Sequence, residues 1–271
     1  MKLLNLGCGL RYHSKWINID FVSSGSGVIR HNLLKGIPFS DSSCEVVYHS
    51  HLLEHFTKDD AEGLILECYR VLRPGGVIRV VVPDLEDITK QYIKQRDMAQ
   101  DGSSTAEANY DWMMLEMFDQ CVRHTPGGQM GKYLAQPDIP NKSFVRERLG
   151  TFFDNLRKPQ GWSLREYLKM QINRFYLGRK AWNVVKRLWV AHLNSPNSVG
   201  RMRLSGEAHL WMYDSYSLTR LLTKCGFRSP QVLSATESSI KGWVDFHLDT
   251  DVDGKVYKPH SLYMEACKTD E

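Results

Sequence analysis

The chain has 271 residues, of which 42% are hydrophobic and 24% are charged, an ordinary composition for one or two globular domains. Glycine (20) and proline (10) are too few for a collagen-like or low-complexity chain. No apolar stretch approaches the roughly 18 residues of a membrane span, and the N-terminal apolar run is too short for a signal peptide. The 6 cysteines are scattered without a C-x-x-C pair, which predicts free thiols. Together these features predict a cytoplasmic protein.

The net charge of +4 is unevenly distributed along the chain. Between Lys142 and Arg187 there are twelve basic and three acidic residues, so this segment carries +9 and the rest of the chain −5. Such a basic segment is typical of proteins that bind an anionic substrate, a nucleic acid or a membrane surface, but a solvated helical face has the same composition. The charge pattern leaves all of these interpretations open.

Residues 1–82 predict alternating strands with one clear helix. Short apolar runs that end in turn residues indicate five strands: Lys2–Leu6, Trp16–Asp20, Val28–His31, Glu45–Ser50 and Val77–Val82. The helix opens with the hydroxyl of Thr57 as its N-cap and then repeats apolar residues every three or four positions. Arg73–Gly76 stops it, because proline cannot continue the helical hydrogen bonds. Strands alternating with a helix predict an α/β sheet.

The pattern becomes helical between about Tyr92 and Ser205. The remaining predicted elements are a helix and two strands: Asp214–Cys225, Gln231–Ala235 and Leu262–Cys267. The sequence thus predicts a core made of residues 1–92 and 206–271. Residues 93–205 are predicted to form a helical insertion that caps the core and binds substrate.

The strongest local motif is Leu4-Asn5-Leu6-Gly7-Cys8-Gly9, in which two glycines follow the end of the first strand. Glycines at this place let the backbone approach a ligand closely. Asp20 ends the next strand, and a carboxylate there can accept both hydroxyls of a ribose. A dinucleotide site needs a third glycine to open a helix beneath the pyrophosphate, and the chain has Tyr12 instead. The motif therefore favours a ribose-containing ligand without phosphates.

Three further motifs follow this one at close spacing: Ile37-Pro38-Phe39-Ser40-Asp41, His51-Leu52-Leu53-Glu54-His55 and Leu72-Arg73-Pro74-Gly75-Gly76. Together the four resemble the class I S-adenosylmethionine-dependent methyltransferases that act on small molecules and glycans. The resemblance covers residues 1 to about 88 and about 209–268. It implies S-adenosylmethionine as the cofactor and an α/β fold: a Rossmann-like, doubly wound, mostly parallel sheet of seven strands with the last antiparallel. The helical segment is then a large insertion after the fifth strand.

The cofactor-binding residues that the resemblance implies are Gly7, Cys8, Gly9, Asp20, Asn32, Leu33 and Ser50. The glycine motif would pass under the methionine part of the cofactor, and Asp20 would bind the ribose. Asn32 and Leu33 would face the adenine, although the family often has Asp at the position of Asn32. Ser50 and His51, at the end of the fourth strand, would line the methyl-transfer centre.

Methyl transfer by direct displacement mainly requires alignment of the reacting atoms, because sulfonium is already a good leaving group. A hydroxyl acceptor would still benefit from a base near its proton. His51 and His209 are predicted candidates for this base. Asp84 is a third, because it follows the central strand, where active sites of parallel sheets open. His209 lies in a His-Leu-Trp-Met-Tyr-Asp run, for which aromatic packing in the core is the competing interpretation.

Two motifs resemble metal sites. His51-Leu52-Leu53-Glu54-His55 is a literal H-x-x-E-H, a spacing that binds zinc when it lies on a helix. Here the segment follows a strand end, which argues against a zinc hydrolase. Asp249–Gly254 matches the first half of a calcium loop, but His260 replaces the bidentate Glu at the twelfth position. Asp-Gly is also a common turn. The sequence therefore predicts no metal site.

The predicted reaction is O-methylation of a sugar, a glycan precursor or another small, anionic molecule. By analogy with similar methyltransferases, it would belong to polysaccharide or secondary-metabolite biosynthesis. The basic aromatic segment 163–193 would either contact an anionic membrane peripherally or pack as the core of the cap.

Two alternatives to this reaction remain open. One is RNA methylation. It is disfavoured because the fourth strand ends in His49-Ser50-His51-Leu52 instead of the Asn/Asp-Pro-Pro-aromatic motif of enzymes that methylate amino groups of nucleic acids. The other is a non-catalytic module that docks a membrane or a partner. The intact glycine motif and Asp20 argue against it, since a module without cofactor does not need them.

Overall fold

The framework of the protein is a seven-stranded sheet with the strand order β3-β2-β1-β4-β5-β7-β6. A computed structural model describes residues 2–22, 25–157, 195–203 and 206–269. The strands are β1 Leu3–Leu6, β2 Ile17–Asp20, β3 Val28–Arg30, β4 Cys44–Ser50, β5 Leu72–Pro83, β6 Arg228–Leu233 and β7 Ser261–Cys267. Strands β1 to β5 run parallel, and β7 is antiparallel to both β5 and β6. The predicted α/β class and the antiparallel last strand are confirmed.

Helices flank the sheet and fill most of the described chain between β5 and β6. They are α1 Lys58–Val71, α2 Leu85–Gln100, α3 Ser104–Met114, α4 Gln120–Val122, α5 Gly128–Leu134, α6 Lys142–Leu149, α7 Thr151–Arg157, α8 Pro196–Arg203 and α9 Ser215–Lys224. A π-helical segment, Leu115–Asp119, connects α3 to α4. In the part of the chain that the structure describes, no helix combines the length and the apolar character needed to cross a membrane.

The helical segment follows the fifth strand, as predicted, but it begins earlier than the sequence pattern indicated. Helix α2 starts directly after β5, with Asp84 as its N-cap, so the predicted boundary at residues 92 and 93 falls inside α2. Ile88, Trp112, Val145 and other apolar residues form a separate helical core. The division into core and cap stays a prediction. Segment 163–193, with its predicted membrane contact, lies outside the described residues.

Helix α1 forms as its sequence predicts. The side chain of Thr57 accepts a hydrogen bond from the backbone N–H of Asp60, and the apolar positions of the helix are buried. The segment Arg73–Gly76 differs from the prediction, because it is already part of β5 rather than a separate turn. Gly75 donates to the carbonyl of Lys268, and Gly76 accepts from its N–H. These two hydrogen bonds to the chain beyond β7 extend the strand toward its N-terminal end.

Strand β6 is also shifted relative to its prediction. It starts at Arg228 and ends at Leu233, and it includes Pro230. Proline is compatible with this strand because β6 lies at the edge of the sheet, where one side needs no hydrogen-bond donor. The Asp249–Gly254 segment forms the predicted turn, since Gly254 donates to the carbonyl of Asp251 and Thr250 bridges to Val256.

Two apolar cores cover the two faces of the sheet, because successive side chains of a strand point to opposite faces. The larger core includes buried residues of α1 and α9, among them Leu64, Ile65, Leu218 and Leu222. The second core lies on the other face and is covered by residues 235–248, including Trp243 and Phe246. Alternation along β5 places Arg79 on this second face, between Val77 and Val81, where its side chain is fully buried.

Candidate active site

The carboxyl ends of the parallel strands surround a cavity of about 200 Å³. Four of the predicted cofactor residues line it, namely Gly7, Cys8, Gly9 and, at the end of β4, Ser50. Gly7 and Gly9 have φ angles of 61° and 53°, in the left-handed region that favours glycine. A Cβ atom on Gly7 would lie 2.6 Å from Cδ1 of Leu52. The first glycine therefore serves both the turn and the close packing beneath the cavity.

Asp20 is held directly beside the glycine motif. Its carboxylate accepts hydrogen bonds from the N–H of Gly9, at 2.8 Å, and from the N–H of Val22, at 3.0 Å. An ionised carboxylate has about four acceptor sites, so two remain for ribose hydroxyls. Burial and the nearby Asp20 raise the pKa of the Cys8 thiol to about 11, so this cysteine is a neutral wall of the cavity.

Asn32 and Leu33 follow the end of β3, at the same edge of the sheet where β2 ends with Asp20. Asn32 caps a short 3₁₀ turn, because its Oδ1 accepts from the N–H of Leu34 at 3.0 Å. Leu33 is buried, and neither residue lines the 200 Å³ cavity. Their predicted contact with adenine stays a prediction.

The far wall of this cavity comes from the C-terminal part of the chain. Arg11 fixes that wall: it pairs with Asp251 at 2.7 Å, donates to the carbonyl of Leu248 at 3.2 Å and stacks on the ring of Tyr257 at 4.0 Å. Leu248, Tyr257 and Lys258 line the cavity as a result. The sequence analysis missed this wall, because these residues carry no motif and lie over 230 positions from Arg11.

His51 is the predicted site residue with the most unusual backbone. Its φ of 50° lies in the left-handed region, which is costly for a residue with a Cβ and is often found at functional sites. The imidazole is held from both sides. Nε2 lies 3.0 Å from the hydroxyl of Ser261, and Nδ1 lies 3.2 Å from Oε1 of Glu54. Burial lowers the pKa of His51 to about 4, so its ring is neutral at pH 7.

A second cavity, of about 340 Å³, lies between the end of the sheet and the helical segment. His51 and Lys258 line both cavities, so the two spaces meet at these side chains. The rest of its wall combines the sheet end with α5, α6 and the segment before α9, and includes Glu54, Glu116, Arg123, Arg148 and His209. The predicted candidates His51 and His209 are therefore brought to one cavity.

The segment that carries His209 is attached to the H-x-x-E-H motif by the backbone. The carbonyl of Glu54 accepts from the N–H of Leu210 at 2.7 Å. Nδ1 of His55 lies 3.2 Å from the carbonyl of Ala208, and the rings of His55 and His209 are 4.8 Å apart. These contacts place His209 Nε2 4.0 Å from Glu54 Oε1, although the two residues are far apart in sequence.

The cavity wall carries strongly perturbed ionisable groups. Burial lowers the pKa of His209 to about 3 and that of Lys258 to about 8. Burial by itself raises the pKa of Glu54, but the adjacent histidines outweigh it and hold this pKa below its usual range. Such clustering of perturbed groups in a cavity is typical of active sites.

The two arginines of the cavity already have carboxylate partners. Arg123 pairs with Asp119 at 3.0 Å and with Glu207 at 3.1 Å. Arg148 is almost completely buried and pairs with Asp87 and Glu116. Among the residues that the structure describes, Lys258 makes no ion pair, so it is the cation of this wall that remains available to a ligand.

Asp84, the third predicted catalytic residue, lies in neither cavity. Its Oδ1 accepts from the N–H of Glu86 at 2.9 Å, which makes it the N-cap of α2. The strand end does lie near the site, but the carboxylate is used to begin a helix. A catalytic role for Asp84 has no support from its position. Helix N-caps favour Ser, Thr, Asp and Asn, so an Asp directly before a helix is a sequence signal for an N-cap.

Part of the chain around these cavities is similar to known methyltransferases. Residues 15–80 match a family described as a methyltransferase domain. A "Probable S-adenosylmethionine-dependent methyltransferase" of Mycolicibacterium smegmatis is 43% identical over 56 residues, which is 21% of this chain and 21% of that protein. The match thus spans about a fifth of the length of this relative.

Two solved structures align with nearly the whole chain. A SAM-dependent methyltransferase of Archaeoglobus fulgidus is 12% identical, with 98% of this chain and 86% of that chain covered and a TM-score of 0.38. The YcgJ protein of Bacillus subtilis is 8% identical, with 100% and 92% covered and a TM-score of 0.39. These scores are too low to support any statement about ligands or activity.

The glycine motif and Asp20 lie at the ends of β1 and β2, where the resemblance to class I S-adenosylmethionine-dependent methyltransferases predicts them. Residues 15–80 match the methyltransferase-domain family, and the relative that shares part of the chain is named as a probable S-adenosylmethionine-dependent enzyme.

Proposed function

We propose that the protein transfers a methyl group from S-adenosylmethionine to an oxygen atom of a small hydroxylated acceptor. The observation that carries this proposal is the meeting of the two cavities at His51 and Lys258. A cofactor whose methionine part occupies the glycine-motif cavity would present its methyl group toward the 340 Å³ cavity. An acceptor in that cavity would then be aligned for in-line displacement.

The chemistry needs one bond to form and one to break. A lone pair of the acceptor oxygen forms the new O–CH₃ bond, while the electron pair of the C–S bond goes to sulfur and leaves S-adenosylhomocysteine. The acceptor proton must go to a base or to water. His51 is neutral at pH 7 and has a ring nitrogen at the junction of the cavities, so it can take this proton. Cofactor and acceptor bound together would displace competing water from the sulfonium.

The size and charge of the larger cavity favour a small acceptor. Its volume is at the lower end of the roughly 300–1,000 Å³ of small-molecule sites, which suits a single sugar unit better than a folded nucleic acid. Lys258 would bind an anionic group on the acceptor, such as a phosphate or a carboxylate. We therefore propose a sugar phosphate, a nucleotide sugar or a similar glycan precursor, used in polysaccharide or secondary-metabolite biosynthesis by a cytoplasmic protein.

Cofactor binding is tested first, by isothermal titration of S-adenosylmethionine and S-adenosylhomocysteine. Asp20→Ala removes the carboxylate that the ribose hydroxyls would contact. We expect its affinity to fall about 10- to 100-fold, the loss typical of hydrogen bonds to a charged group. Asp59→Ala, an exposed change in the first turn of α1, is the matched control and should bind like wild type. Equal affinity of Asp20→Ala and wild type would contradict the assigned ribose contact.

Acceptor use is tested with S-adenosylmethionine labelled in the methyl group and a panel of sugar phosphates and nucleotide sugars. We expect label transfer by wild type and by Asp59→Ala. His209→Ala should keep its cofactor affinity and lose most of its turnover, and His209→Gln serves as a second variant should the first fold poorly. Transfer to RNA, together with binding that weakens steeply with salt, would replace the small acceptor by a nucleic acid.

A further inference from the structure

Glu54 is the most unusual buried group in the described part of the chain. Its side chain has no exposed surface, and neither carboxylate oxygen has a partner in hydrogen-bond geometry among the described residues. Nδ1 of His51 lies 3.2 Å from Oε1, within ion-pair distance but outside hydrogen-bond geometry. A buried carboxylate without donors is strongly unfavourable, so proteins usually supply a cation or a set of hydrogen bonds.

Three potential metal ligands converge at this carboxylate. Glu54, His55 and His209 each offer one ligand atom, and these atoms lie within 4.8 Å of one another. Ordinary bonds of about 2 Å to one ion bring ligand atoms to within about 4 Å of one another, so a small adjustment of the three side chains would let them share an ion. The three residues come from two chain segments that the backbone hydrogen bond between Glu54 and Leu210 holds together.

The surroundings orient the two imidazoles for this task. Nδ1 of His55 lies 3.2 Å from the carbonyl of Ala208, an acceptor-only group, so Nδ1 carries the proton and Nε2 has its lone pair free. A carbonyl or carboxylate behind a histidine is the usual support of a metal-binding imidazole. Nε2 of His209 lies 4.0 Å from Oε1 of Glu54. The three potential ligands are therefore already grouped before any ion arrives.

We propose that Glu54, His55 and His209 bind a divalent transition-metal ion of the zinc class, with its open positions toward the 340 Å³ cavity. Two imidazoles and one carboxylate suit Zn²⁺, Mn²⁺, Fe²⁺ or Co²⁺ better than Mg²⁺ or Ca²⁺, which prefer oxygen ligands alone. Three protein ligands, with at least one position left for solvent or substrate, are typical of a catalytic rather than a structural site.

This site deepens the proposed function and rests on it for the role of the ion. All three ligands line the 340 Å³ cavity, which would hold the acceptor. His51 lines this cavity as well as the glycine-motif cavity, which would hold the cofactor. An ion at the three ligands would bind the acceptor through its hydroxyl oxygen and acidify that hydroxyl, so that its proton leaves for His51 or water before the C–S bond breaks. With such an ion, the expected acceptors are molecules that can bind a metal through a hydroxyl or through two neighbouring oxygens.

Metal binding itself is tested without an acceptor. Wild-type protein is stripped with a chelator, reloaded with Zn²⁺, freed of excess ion and analysed by mass spectrometry for metal. We expect about one ion per chain. Glu54→Gln preserves the shape of the side chain, and His209→Gln keeps a polar group of similar reach. Both variants should retain less than about a tenth of the wild-type zinc. His124→Ala, an exposed histidine of the helical segment, is the control and should load like wild type.

Cobalt provides a second readout that does not depend on turnover. Co²⁺ loaded into wild type should give the visible spectrum of a low-coordinate nitrogen and oxygen site, and Glu54→Gln should abolish it. Stripped wild type that takes up no zinc, or zinc retained equally by wild type and both variants, would overturn the metal site. Titration with S-adenosylmethionine is run on the same samples, so a failure of the metal site is distinguished from a failure of the methyltransferase assignment.

Discussion

Two clusters of buried charge, one around Arg79 and one around Glu54, lie near the glycine-motif cavity. They differ in how their charges are satisfied. Arg79 is fully buried, and its guanidinium donates four hydrogen bonds. It pairs with Asp249 and Glu265, both at 2.9 Å, and donates to the carbonyls of Ser234 and Glu237. Glu54 is equally buried, yet its oxygens have no hydrogen-bond donor among the described residues.

The difference separates a structural cluster from a functional one. The Arg79 cluster connects β5 to residues 234–249, which cover one face of the sheet and lead into the wall of the cofactor cavity. Its two carboxylates share the guanidinium and also accept hydrogen bonds from hydroxyl groups, those of Tyr48, Ser238 and Ser239, so the cluster is satisfied within the protein. The Glu54 cluster faces a cavity and stays incomplete, as is common for groups that act on a ligand. The contrast can be tested by the free energy of unfolding of variants in each cluster and by the pH dependence of acceptor binding.

The largest effect is expected for Arg79→Met. The variant keeps the apolar stem but leaves Asp249 and Glu265 buried without a cation. We expect the free energy of unfolding to fall by about 3–5 kcal/mol, the usual loss when one partner of a buried ion pair is removed. Urea denaturation measures it. Arg96→Met is the matched control, because Arg96 forms an exposed pair with Asp97 and the variant should be about as stable as wild type. If Arg79→Met lowers the free energy of unfolding only slightly, the Arg79 cluster is not a structural one.

A smaller loss is expected for Tyr48→Phe. The hydroxyl of Tyr48 donates to Asp249 Oδ1 at 2.6 Å, and burial raises the pKa of this tyrosine well above its usual value. Removing the hydroxyl should lower the free energy of unfolding by about 1–2 kcal/mol. Because Tyr48 also lines the cofactor cavity, cofactor titration is measured in parallel. Combined with Arg79→Met, the two losses should be non-additive, since both groups share Asp249.

The pH dependence of acceptor binding tests whether the ammonium group of Lys258 binds the acceptor. The pKa of Lys258 is lowered to about 8 by burial, so the amine is charged below pH 8 and loses its charge above it. The KM for an anionic acceptor should therefore rise about 10-fold between pH 7 and pH 9. Lys258→Arg keeps the charge over this range and should flatten the profile. The same rise in the Arg variant would show that another group titrates.

The smallest effect on stability is expected for Glu54→Gln, measured on chelator-treated protein. The variant removes a buried charge that lacks donors, so the free energy of unfolding should change by less than about 1 kcal/mol. Turnover should nevertheless fall by about 100-fold or more, because the proposed ion is lost. A loss of several kcal/mol, comparable to that of Arg79→Met, would make Glu54 a structural residue and erase the contrast between the clusters.

Much of the fold could be predicted because its signals are local. The strands from β1 to β4 occur where short apolar runs end in turn residues, and the N-caps Thr57 and Asp214 mark the starts of α1 and α9. The site was predicted in part. The glycine motif and Ser50 line a cavity with His51, and His209 joins the second cavity. Asp84 caps α2 and lines neither cavity, so its predicted catalytic role stays a prediction.

The sequence by itself determined the α/β class, the glycine turn and the acid at the end of β2. These features depend on spacing within a few residues, where backbone geometry and turn preferences act directly. Only the tertiary structure decided which distant groups meet: Arg79 with Asp249, Lys258 with His51, and Glu54 with His209. No local rule specifies such meetings. They arise when separate segments pack, and packing decides which charges are satisfied and which face a cavity.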